Sequence, residues 1–76
     1  MKETILWNGR LGGQLKKDQT RDDLPYLEIR RIGDSALNDY CIKFVWLQDG
    51  RYYEGAMGNE QFLSWLDYLK EQVSIT

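Results

Sequence analysis

The chain of 76 residues contains no histidine, which excludes imidazole-based catalytic dyads and triads and zinc sites with histidine ligands. Its single cysteine, Cys41, has no internal disulfide partner. A small secreted domain usually needs several disulfides, so a reducing, cytoplasmic setting is expected. One proline and seven glycines are too few for a disordered or fibrous chain. No apolar run approaches the roughly 18 residues of a membrane span. The segment from Met1 to Trp7 lacks the apolar stretch and small-residue cleavage site of a signal peptide, so neither membrane insertion nor export by that route is expected. Positive charge is not in excess either. Ten Lys plus Arg against twelve Asp plus Glu give a net charge of −2, which removes the simplest electrostatic case for a general DNA or anionic-membrane binder.

What remains is a composition that folds. Hydrophobic residues make up 42% and charged residues 29%, near the average for soluble domains. A length of 76 residues supports only one core, so residues 1–76 are read as a single domain. Glu3 to Trp7 is β-prone and precedes Asn8-Gly9, a dipeptide suited to a two-residue turn, which predicts a first hairpin with a return strand over residues 10–16. Residues 17–25 are charged and end in Pro25, as an exposed loop would. Tyr26 to Ile32 alternates as a strand and stops at Gly33. Tyr40 to Leu47 is the most apolar stretch, and Asp49-Gly50 predicts a tight turn into an antiparallel return strand from Arg51 to Met57. From Asn59 the hydrophobic period lengthens: Phe62, Trp65, Leu66, Leu69 and Val73 fall on one stripe of a helix over residues 60–72, with Asn59 as its cap. The expected fold is therefore α+β: a four- or five-stranded antiparallel sheet of hairpins with one C-terminal amphipathic helix packed on one face.

The Asp49-Gly50 turn sets side-chain parity. Tyr40, Ile42, Phe44, Trp46, Tyr53 and Met57 share the face that matches the helix stripe, so these two sets are expected to form the core. Cys41, Lys43, Val45, Leu47, Tyr52, Glu54 and Ala56 occupy the other face, which one helix cannot also cover. Two alternatives are open: the N-terminal segment closes it, with Leu6, Leu11 and Leu15 folding over, or leaves it a spotted surface; or else a second copy or another protein covers it. A partner-binding cluster of Val45, Leu47 and Tyr52 rimmed by Lys43 and Glu54 follows from the second alternative.

Candidate chemistry is sparse. Scattered acids such as Asp22, Asp23, Asp34 and Asp39 have no calcium-loop spacing, and Asn8 to Gly13 lacks the phosphate-binding lysine pattern of a P-loop. Cys41 has only Lys43 nearby to activate it, so it reads as a structural thiol. No cofactor or metal site is expected, and the chain is read as a non-enzymatic protein acting through a surface on another protein or on itself. Inhibitors and adaptors encoded by phages and mobile elements are of this kind. Aromatics interleaved with cations support an alternative, a single-stranded nucleic-acid binder using Arg30, Arg51 and Tyr52. The order of antiparallel strands and then a helix over residues 26–72 resembles that of the PC4-like transcriptional coactivators. That resemblance is one of layout, and it implies a curved sheet that binds single-stranded DNA.

Overall fold

The computed structural model describes residues 2–74. Four strands, β1 (Glu3–Arg10), β2 (Tyr26–Asp34), β3 (Asp39–Gln48) and β4 (Arg51–Gly58), form one antiparallel sheet in sequential order, and the helix α1 (Asn59–Ser74) follows. The α+β architecture expected from the sequence is present, with four strands. Asp49 and Gly50 adopt φ values of 52° and 74°, as a two-residue hairpin turn of this hand requires. The resulting register sets Leu47 opposite Tyr52 and Val45 opposite Glu54.

The N-terminal segment departs from expectation. Asn8-Gly9 is not a turn: β1 runs straight through it, pairing Asn8 with Glu28 and Gly9 with Leu27. The long-range ladder with β2 outweighs the local turn preference. Gly9 serves a different purpose there, because a Cβ at that position would stand 3.3 Å from the Trp7 indole that lies over it. No return strand forms over residues 10–16, and residues 11–25 make a surface connection with a short 3-10 turn at Arg21–Asp23. A bulge between Ile5 and Trp7 shifts the register of β1. Leu6 and Leu15 are exposed, so this segment does not fold over the second face.

Gly33 lies within β2 at a φ of +114°, and a Cβ there would overlap the Asp39 carbonyl oxygen. Only glycine fits where β2 and β3 approach at their connection. Helix α1 starts directly from β4. Asn59 Oδ1 accepts from the Glu60 amide at 2.8 Å and Asn59 Nδ2 donates to Asn38 Oδ1 at 2.8 Å, tying the helix start to the β2–β3 connection.

Helix α1 lies mainly over β3 and β4. Phe44 of β3 meets Phe62 and Trp65, each with ring centroids 5.9 Å away, the second edge-on. The buried apolar residues are Ile42, Val45 and Phe62. The stripe expected to be core is thus only partly so: Trp65 and Leu66 remain about two-fifths exposed because the helix does not extend over β1 and β2. The molecule is thin, 48 × 38 × 15 Å, with a radius of gyration of 15.1 Å against about 11 Å for a compact domain of this length. Its accessible surface is 6170 Å², roughly 1,300 Å² more than the roughly 4,850 Å² typical of a 9.0 kDa monomer.

Candidate interaction face

The register of the four strands arranges the side chains opposite the helix in rows. Arg10, Tyr26, Leu47 and Tyr52 form the first, Asn8, Glu28, Val45 and Glu54 the second, and Ile5, Arg30, Lys43 and Ala56 the third. All five residues expected to bind a partner, Lys43, Val45, Leu47, Tyr52 and Glu54, therefore share one face, on adjoining strands.

Two similar units flank the apolar pair Val45 and Leu47. On β4, the Tyr52 hydroxyl donates to Glu54 at 2.5 Å and Lys43 Nζ lies 2.9 Å from the same carboxylate. On β2, the Tyr26 hydroxyl donates to Glu28 at 2.6 Å, and Arg30 donates to Glu28 through Nε and to Glu3 through Nη1, the latter at 2.7 Å. Each strand carries a Tyr-x-Glu whose two side chains point the same way, because alternation places i and i+2 on one face. Arg10 adds a guanidinium 5.7 Å from the Tyr26 ring centroid, anchored by donation to the carbonyls of Asp22 and Leu24.

These contacts set the electrostatics of the face. The Tyr52 hydroxyl and then Lys43 hold the Glu54 carboxyl below the usual carboxylate range. Hydrogen bonding to Glu54 raises both the Tyr52 phenol and the Lys43 ammonium above their ordinary values. Glu3 is lowered and Arg30 raised by their mutual hydrogen bond. The charges largely cancel within the face, and long side chains tied to one another shield Val45, which is only 5% exposed with no helix above it.

Glu28, at 6% exposure the buried charged residue of the sheet, was not singled out by the sequence reading. The signal was there: Tyr26, Glu28 and Arg30 at i, i+2 and i+4 of a strand share a face and can bond in series. Of the residues named for nucleic-acid binding, Arg30 and Tyr52 lie on this face. Arg51 pairs with Gln48 and so belongs by alternation to the helix face, and the three do not form one site. Arg30 is already held by Glu3 and Glu28. Lys43, the nearest candidate to activate Cys41, is engaged by Glu54. Among the described residues no three His, Cys, Asp or Glu side chains are grouped so as to hold a metal ion, and no helix is long and apolar enough to cross a membrane.

No family model, curated protein sequence or solved structure matches the chain. A functional reading therefore rests on this geometry.

Proposed function

We propose that the protein is a small, non-enzymatic, cytoplasmic binding protein that works through its surface, as an inhibitor or adaptor, docking another protein at the Val45, Leu47 and Tyr52 cluster and associating with itself. The observation that carries this reading is the surface of 6170 Å² on a molecule 15 Å thick, more than a self-sufficient monomer of this mass exposes. The docking cluster has the make-up of an interface centre. Tyr52 is 60% exposed beside Leu47, and the ion pair of Lys43 and Glu54 forms a polar rim already held in place.

The test passes an extract of the native cell over immobilised wild-type and Leu47→Arg protein. The new charge would have to be desolvated without a counter-ion on docking. A protein retained by the wild type at high salt and lost from the variant, with unchanged circular dichroism, is the expected result. Equal retention by both, or none by the wild type, overturns the docking site.

A second reading, single-stranded nucleic-acid binding, is favoured by the row Arg10, Tyr26, Leu47 and Tyr52, in which two rings and a guanidinium share one end of the face. It predicts oligonucleotide retention that falls steeply with salt and is lost in Arg30→Ala and Tyr52→Ala.

A further inference from the structure

The two edges of the sheet differ. Strands β1 and β4 are its outer strands, and each has one side without a neighbour. The edge of β1 is broken by the bulge between Ile5 and Trp7, a device that disrupts pairing with a further strand. The register of β4 runs without a shift from Arg51 to Gly58, and the strand holds no proline or lysine. Its one mid-strand charge, Glu54, is answered by Lys43. The β4 edge therefore lacks the means by which natural sheets refuse another strand.

The turn fixes which backbone groups are free. Gln48 and Arg51 flank the two-residue loop, so the Arg51 amide points at β3, and with it those of Tyr53, Gly55 and Met57. The amides and carbonyls of Tyr52, Glu54 and Ala56 point outward, and among the described residues no further backbone bond reaches them. Unpaired groups on alternate residues are completed by an extended segment, and β4 is its own complement. About a two-fold axis at Tyr53, a second β4 runs antiparallel with its Glu54 opposite Tyr52 and its Tyr52 opposite Glu54. These side chains are already donor and acceptor, bonded at 2.5 Å within the strand, so the same groups can bridge two copies. An axis at Glu54 would instead set two carboxylates face to face.

We propose that the protein is a two-fold dimer in which the β4 strands pair antiparallel about Tyr53, joining two four-stranded sheets into one. This rests on the self-association proposed above and assigns it to the β4 edge. Edge pairing leaves both sheet faces open, so the Val45, Leu47 and Tyr52 clusters of the two copies lie on one doubled docking face.

Light scattering tests the assignment. The wild type is expected at about 18 kDa, twice the 9.0 kDa chain. Ala56→Pro removes an outward amide hydrogen, which an edge strand tolerates, so circular dichroism should be unchanged while the mass falls to that of one chain. Cross-linking reads the register independently. In a Cys41→Ser background, Tyr53→Cys sets two thiols across the axis in a non-hydrogen-bonded pair, with Cα atoms about 4.5 Å apart, within the roughly 4.4 to 6.8 Å that a disulfide spans. Mild oxidation should link this variant and leave Gly55→Cys, which faces Arg51 of the second copy, unlinked. A wild-type monomer, a folded Ala56→Pro dimer, or linkage through position 55 and not 53 overturns the proposal; should Ala56→Pro unfold, the cross-link decides. Leu47→Arg separates the two readings. It should remain dimeric while losing the docked protein; loss of the dimer would move the self-contact to the docking face and overturn the edge assignment. A dimer of Leu47→Arg that still retains the docked protein would sink the docking site alone.

Discussion

Ile42 and Val45 sit three residues apart on the same strand and face opposite sides of the sheet, yet they are 1% and 5% exposed. Different means bury them. Ile42 lies on the side where α1 packs, between Arg31 of β2 and Met57 of β4. Val45 has no element above it and is enclosed by tyrosines, glutamates and cations bonded to one another. The contrast shows that a sheet face can be closed by its own side chains when donors and acceptors alternate across the strands. The face with the helix is the one left unfinished, because one helix covers about two of four strands.

Ile42→Ala should produce the largest effect, a loss of about 3 to 5 kcal/mol, because the removed methyl groups leave a cavity against a helix that cannot collapse onto it freely. In a domain of this size that would leave much of the chain unfolded. Val45→Ala removes two methyl groups beneath mobile side chains and should cost about 2 kcal/mol. Paired urea melts check this comparison; equal losses would mean that the polar roof is as rigid as the helix.

The sheet was legible in the sequence wherever local signals and long-range pairing agree. Asp49-Gly50, the alternation of β2 to β4 and the change of period at Asn59 each point to one structure, and parity from a single turn placed Lys43, Val45, Leu47, Tyr52 and Glu54 on one face. Asn8-Gly9 misleads because its turn preference is local, whereas its place in β1 is set by pairing with Glu28 and Leu27, some twenty residues away. The helix stripe was also legible, but not its extent of cover, since periodicity reports which side of a helix is apolar and not what lies beneath it. Glu28 escaped notice because a buried carboxylate on a strand becomes intelligible only once its partners Tyr26 and Arg30 are seen to point the same way.

Glu28→Ala should be next in size. It leaves the Tyr26 hydroxyl without its acceptor and Arg30 with only Glu3, at a cost of about 1 to 3 kcal/mol. Glu28→Gln retains an acceptor and should recover part of that loss. If both variants melt with the wild type, the bonded roof contributes nothing to closing its face, and the contrast with the helix side fails.

The smallest effect concerns pH, and it separates the faces by the shape of a curve. Glu54 and Glu3 are lowered by their partners, so the folded state holds fewer protons than the unfolded chain as carboxylates titrate. Their contribution is present above the ordinary carboxylate range and is lost as pH falls through the lowered values. Lys43 and Tyr52 are raised by Glu54, so their contribution is present below their ordinary values and is lost as pH rises through the raised ones. Glu54 stands at the centre of both limbs. Glu54→Gln should therefore flatten the stability curve at its acid and alkaline ends, and only slightly, because these groups are exposed to solvent that screens them. Ile42→Ala should lower the whole curve without changing its shape, since the methyl groups it removes carry no charge and leave every ion pair in place. Melts of the two variants from acid to alkaline pH check this, and a curve for Glu54→Gln parallel to the wild type would show that the Tyr52, Glu54 and Lys43 bonds add no stability to the face they cover.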